Sequence, residues 1–276
     1  MSTASSRGRI MVIGAHPDDC EIKCGGTAAL WAKAGFAVRF VSATNGGTGH
    51  HAIGGIELVQ RRIAEAAAAA KVIGIESQIM EFTNGDLEPT LANRKVFMKV
   101  IRDFKPDLIL THRPNDYHPD HRYTSQLVQD SAYVLTVPNN LPTTPALRDN
   151  PIIAYLSDTF QKPIPFQPDV VVGIDAVLET KVDMLHCHVS QFYEWLPYNQ
   201  RKEHEVPSEN RARREWLKQQ RIPFDRDCAD RYRSKLVELY GPEKGGAFKY
   251  AEAFEVCEYG SPLTEEKRRA LFPFVA

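Results

Sequence analysis

The stretch Ile10-Met11-Val12-Ile13-Gly14-Ala15-His16-Pro17-Asp18-Asp19-Cys20-Glu21 passes abruptly from an apolar run to a histidine and three carboxylates. The apolar part is short, rich in β-branched residues and closed by a glycine, which reads as a buried strand. Charge crowded at the end of a buried strand belongs at a sheet edge that faces a crevice. Carboxylates this close repel one another, so a positive group must hold them together. A divalent cation fits that need, and a second cluster, His118-Pro119-Asp120-His121, offers further ligands.

Outward from this stretch, β-rich apolar runs recur at 37–43, 78–82 and 107–111, with weaker ones at 152–156 and 170–174. Helical segments are expected between the first four, at 25–34, 55–73 and 91–104. In the second, Leu58, Arg62, Glu65 and Ala69 recur at helical spacing within an alanine-rich run. Strands alternating with helices of this length imply parallel βαβ units with right-handed crossovers. The expected fold class is therefore α/β: a Rossmann-like, mostly parallel sheet with helices on both faces. In the common strand order 3-2-1-4-5, the first and fourth strands are neighbours. Ligands bind in the crevice outside their carboxyl ends, so the two charged clusters should meet there.

Residues 138–168 are proline-rich and read as a crossover and pocket wall, and 174–192 read as one helix. Residues 193–249 carry Arg211, Arg213, Arg214, Arg221, Arg226, Arg231 and Arg233. They read mainly as a solvated helical cap, with contact to an anionic substrate or a neighbouring subunit as the alternative. The expected division is a catalytic domain over 1–192 and a C-terminal cap or extension over 193–276, packed on the same domain.

The chain has 276 residues, 43% hydrophobic and 25% charged, with Lys+Arg 34 against Asp+Glu 35. A net charge of -1 gives no field to draw in nucleic acid or an anionic membrane. No apolar run approaches membrane-spanning length, and Met1 to Arg9 carries no apolar leader core. Five cysteines spread from Cys20 to Cys257 do not form a disulfide framework pattern. The expectation is a cytoplasmic protein with free thiols, with assembly into a homo-oligomer left open.

His16, Asp19 and His121 make a three-ligand set with an open position, as catalytic zinc sites have. Nitrogen and oxygen donors suit Zn²⁺, but the same set describes a non-haem Fe²⁺ site or one for another divalent metal. Asp18 would lie beside the open position and take a proton from water. Asp120 is expected behind His118, fixing its tautomer and raising its pKa so that it can stabilise an oxyanion or protonate a leaving amine.

Ala15-His16-Pro17-Asp18-Asp19-x-Glu21 with Pro114-x-Asp116-x-His118-Pro119-Asp120-His121 resembles the PIG-L/LmbE-like family of zinc-dependent N-acetylglucosaminyl deacetylases. Weaker resemblance runs through Cys24-Gly25-Gly26-Thr27, Arg62-x-x-Glu65, Asn84-Gly85-Asp86-Leu87, His188-x-Ser190-Gln191 and Tyr250-Ala251-Glu252-Ala253-Phe254, leaving 195–249 poorly covered. The resemblance implies His16, Asp19 and His121 as zinc ligands and Asp18 as general base. It further implies His118 as acid or oxyanion stabiliser, with Asp120 behind it, and Arg62 as a substrate contact. Lys23 departs from the family, standing where members often carry glycine. The glycine-rich stretch Asn45-Gly46-Gly47-Thr48-Gly49-His50-His51 lacks dinucleotide-binding spacing. It reads as a pocket rim with Asn45 and His50 as candidate substrate contacts.

The expected activity is metal-dependent removal of an N-acyl group, N-acetyl first, from a small-molecule amino sugar or its conjugate. The rivals are an amidase acting on a non-sugar or thiol-conjugate amide, a non-catalytic sugar- or nucleotide-binding module, and an Fe²⁺ oxygenase.

Overall fold

The structure is a computed structural model and describes residues 7–275. Of the N-terminal stretch Met1 to Arg9 read above, residues 1–6 lie outside the described residues. The elements run β1 (Arg9–Gly14), α1 (Asp19–Lys33), β2 (Ala37–Thr44), α2 (Gly55–Ile73), β3 (Glu76–Phe82), α3 (Leu91–Phe104), β4 (Leu108–Thr111) and α4 (Pro119–Ser131). They continue with β5 (Ile152–Leu156), β6 (Val170–Gly173), α5 (Leu178–His186), α6 (Leu196–Gln200), α7 (Asn210–Arg231), α8 (Arg233–Tyr240), α9 (Pro242–Ala247), β7 (Ala251–Cys257) and α10 (Glu265–Leu271).

The seven strands form one sheet in the order β3-β2-β1-β4-β5-β7-β6. β1 to β5 pair in parallel, and β7 runs antiparallel to both β5 and β6. The expected 3-2-1-4-5 order is present. β1 sits at its centre, and its alternating side chains feed the two halves of the core. Ile10 and Val12 point to one face, with Trp31, Phe254 and Phe272. Met11 and Ile13 point to the other, with Phe97, Met98, Phe104 and Ile109. A strand covered on both faces has no polar side, which is why its run is continuously apolar.

Three local expectations change. α1 starts at Asp19 rather than at residue 25, so Gly25 and Gly26 lie inside a helix. Glycine disfavours helix interiors, yet a Cβ at Gly26 would stand 2.8 Å from Ile174 Cγ2. Tertiary packing demands the bare backbone there. The single helix expected over 174–192 is α5 followed by a π-helical turn, Ser190–Trp195. Ser190 is held at that break by Glu65, which accepts from its N–H at 2.9 Å and its hydroxyl at 2.6 Å. β7 was not expected as a strand at all. After the helical run α7 to α9, the chain returns to the sheet and inserts between β5 and β6.

The insertion carries Glu252 into the interior. Its carboxylate accepts from the backbone N–H groups of Gly26 and Thr27 at 2.9 and 2.7 Å, and meets Lys181 Nζ at 2.8 Å. Lys181 also bonds Asp225 of α7 at 2.7 Å, so one buried cation joins α5, α7 and β7 over α1. The five cysteines are all free, and no helix among the described residues is long and apolar enough to cross a membrane.

Candidate metal centre

The loop after β1 supplies His16 and Asp18, and the first turn of α1 supplies Asp19. The loop after β4 supplies His112 and Asp116, and α4 opens with His118 as its N-cap, then Pro119, Asp120 and His121. Because β1 and β4 are paired, both loops leave the sheet at the same edge. That edge is the crevice expected for ligands in such a fold.

His16 Nδ1 lies 3.2 Å from His121 Nε2, and each of these nitrogens lies 3.5 Å from Asp19 Oδ2. Ligands at zinc bond lengths in tetrahedral geometry stand roughly 3.3–3.5 Å from one another. The triangle therefore has the dimensions of one face of such a coordination shell. The far nitrogen of each imidazole faces a carboxylate: His16 Nε2 is 3.2 Å from Asp120 Oδ2, and His121 Nδ1 is 3.1 Å from Asp116 Oδ1. A carboxylate there holds the proton on the far nitrogen and turns the near lone pair toward the shared point. The donor set and its backing fit a small divalent cation.

The electrostatics agree. Burial opposes a charge on His16, but Asp120 and Asp19 outweigh it and lift the imidazole to about 10. Without another cation, the carboxylates draw a proton onto His16. Burial likewise works against a charged Asp19, and the imidazoles of His121 and His112 overcome it and hold the carboxyl well below its ordinary value. His112 stacks on His121 with ring centroids 4.0 Å apart, and its Nε2 is 3.2 Å from Asp19 Oδ2. Burial, then the neighbouring His121, holds His112 down to about 4, so it is neutral.

Asp18 is the N-cap residue of α1, yet its side chain makes no capping bond. An aspartate that caps typically contributes about 1 kcal/mol; this one keeps both oxygens free, and it lines the cavity beside the triangle. Burial and then the charge of Asp19 raise its pKa, with Arg62 the first opposing influence.

Asp120 corrects an expectation: it lies behind His16 rather than His118, whose Nδ1 is 3.9 Å from Asp120 Oδ2. Asp120 Oδ2 also accepts from Gly85 N–H at 2.7 Å, which ties the loop after β3 to the site. His118 Nδ1 instead accepts the backbone N–H of Asp120 at 3.2 Å. Its ring proton must then reside on Nε2. The expected rise in its pKa is reversed, because burial and the charges of His16 and His121 push it down.

The expected substrate contacts are placed differently. Arg62 is buried and donates to Gly49 O at 3.1 Å and to Gln191 Oε1, so it stands behind the wall of the cavity rather than in it. Asn45 Oδ1 caps the turn at Gly47 N, 2.9 Å away, and His50 Nε2 meets Glu194 Oε2 at 3.0 Å. Neither Asn45 nor His50 lines the cavity at the triangle. That cavity, of ≈ 410 Å³, is walled by Tyr117 and Phe160 on one side and by Arg221 and Phe224 of α7 on another. Sequence reasoning missed His112 and the backing role of Asp116; Arg221 was named only among the arginines of 193–249, with an anionic-substrate contact as the alternative to a solvated cap. A histidine directly after the fourth strand was the available signal for the first.

The family model described as PIG-L: GlcNAc-PI de-N-acetylase matches residues 11–132. The diacetylchitobiose deacetylase of Thermococcus kodakarensis is 30% identical over 205 residues, covering 69% of this chain and 74% of that protein. The 4-oxalmesaconate hydratase of Pseudomonas putida is 25% identical over 199 residues, covering 68% of this chain and 76% of its own. Among solved structures, the N,N'-diacetylchitobiose deacetylase from Pyrococcus horikoshii has a TM-score of 0.70 at 24% identity, covering 91% of this chain and 84% of that one. With paired HPDD and HPDH clusters meeting at the crevice of a like fold, this chain belongs to the PIG-L family.

Proposed function

We propose that this protein is a metal-dependent N-deacylase, acting on the N-acetyl group of an amino sugar or its conjugate, with Zn²⁺ as the resident cation. The observation that carries the reading is Asp18: a buried carboxylate without a hydrogen-bond partner among the described residues, beside a triangle built for a cation. A module that only binds has no use for it.

His16, Asp19 and His121 would hold the cation, with Asp120 and Asp116 orienting the two imidazoles. A divalent cation there supplies positive charge that polarises an amide carbonyl and acidifies a nearby water. Asp18 takes the proton of the attacking water, and its raised pKa lets it keep that proton through the tetrahedral stage. His118, with Nδ1 occupied by a backbone N–H, presents Nε2–H as a neutral donor to the oxyanion. The proton on Asp18 then passes to the nitrogen as the C–N bond breaks, giving a carboxylic acid and a free amine. The helical residues before β7 form one wall of the cavity and would cover a bound substrate.

The test is amine release from N-acetylglucosamine, its disaccharides and N-acetylated conjugates, with simple amides and 4-oxalmesaconate, the compound named in the hydratase relative, alongside. Release from acetylated sugars that stops with chelator and returns with Zn²⁺ supports the reading. Hydration of 4-oxalmesaconate without any amine release would instead place the chain with its hydratase relative.

A further inference from the structure

The cavity wall on the α7 side carries charge that the reaction above does not use. The carboxylates around the cavity are nearly all matched. Asp158 meets Arg113 at 3.0 Å, Asp227 meets Arg231 at 2.6 Å, and Asp225 and Glu252 share Lys181. Asp19 and Asp116 face the imidazoles. Two cations are left without a carboxylate within ion-pair distance among the described residues: Arg221 and Lys23, both lining this cavity.

Arg221 is held by rings instead. Its guanidinium carbon lies 4.7 Å from the Phe224 ring centroid and 5.6 Å from that of Phe192. Aromatic faces fix the plane of a guanidinium while leaving its edge donors free, which suits bidentate binding of an oxyanion. Burial pushes Arg221 below its ordinary value, and the fields of Asp225 and Asp18 do not make up the difference. Lys23 gives one hydrogen bond, to Ser157 O at 2.9 Å, and has two further donors. It comes from the second turn of α1, one helical turn after Asp19 of the metal triangle. Burial lowers Lys23 first; Asp19, Asp116 and Asp158 pull it back up, and the charge of Arg221 adds to the lowering, so the two cations lie in each other's field. Two like charges without an ion-pair partner among the described residues share one cavity, and a bound anion would offset both.

Resting on the deacylase reading, we infer that Arg221 and Lys23 form an anion subsite, so that the substrate is an N-acyl amino sugar bearing a carboxylate or a phosphate. Its acyl group meets Asp18 and the metal triangle, and its anionic group reaches across the cavity to α7. The occupant is therefore more acidic than a plain chitobiose.

The experiment compares N-acetylglucosamine with N-acetylmuramic acid (carboxylate arm) and N-acetylglucosamine 6-phosphate (phosphate arm), for the metal-loaded wild type, Arg221→Met, Arg221→Lys and Lys23→Met. One anionic substrate should exceed the neutral sugar in kcat/KM. Arg221→Met should collapse that preference by about 10- to 100-fold, chiefly through KM, the range expected for a charge-assisted pair. Arg221→Lys should keep part of it. No preference for either anion in the wild type, or an equal loss on neutral and anionic substrates, overturns the inference and leaves the deacylase reading standing. Calorimetric binding of muramic acid and glucosamine 6-phosphate is read separately and needs no turnover. Binding that Arg221→Met and Lys23→Met both weaken supports the subsite even if no amide is cleaved, and absence of binding to the wild type overturns it.

Discussion

Asp18 and Asp19 are adjacent aspartates at one helix start, and their neighbours give them opposite characters. Asp19 accepts from the N–H groups of Ala15 and His16 and faces His121, which keeps it ionised. Asp18 has burial and the charge of Asp19 against it and stays ready to hold a proton. Asp18→Asn should therefore keep metal content near that of the wild type while lowering kcat by about 10²–10⁴-fold, the usual contribution of a positioned acid or base. Turnover within tenfold of wild type, at matched metal content, would remove Asp18 from the mechanism. Asp120→Asn should act differently, because it loosens the orientation of His16. Metal affinity should fall by about 10- to 100-fold in chelator competition, with activity restored by excess Zn²⁺.

At the scale of elements, the site depends on how α1 is seated. α1 carries Asp19 at one end and, further along, the glycines against which Ile174 and Glu252 close. Lys181 neutralises Glu252 of β7 and Asp225 of α7 together. Lys181→Met would leave two buried carboxylates without their cation, and removing one partner of such a group costs about 3–5 kcal/mol. The expected result is a lower urea midpoint with little change in the urea dependence of unfolding. A loss under 1 kcal/mol would mean that the carboxylates take up protons or water at small cost. The helix expected over 25–34 begins six residues earlier, at Asp19, so that Gly25 and Gly26 fall in its interior, where glycine is disfavoured. The same glycines are what allow β7 and α5 to approach, so local propensity and tertiary packing point in opposite directions there.

For the whole molecule, the proposed cation and the fold stabilise each other, because the triangle joins the turn from β1 into α1 to the first turn of α4. Binding to the folded state alone adds about 2.7 kcal/mol at a metal concentration a hundredfold above Kd. Stripping the metal with chelator should lower the thermal midpoint by several degrees, and Zn²⁺ should restore it; His121→Ala should melt at one temperature with or without Zn²⁺. An unmoved wild-type midpoint in both directions would argue against a cation at this triangle. Alternating apolar runs and helical spacing determined the five parallel strands and their order, because periodicity is a local property of the chain. The HPDD and HPDH clusters determined which side chains meet, since strands one and four must be neighbours in that order. Tertiary structure alone decided that Asp120 backs His16, that Arg62 stands behind the cavity wall, and that residues 251–257 slot between β5 and β6. Each of these rests on contacts between residues far apart in the chain, where direction and distance, rather than residue type, select the partner.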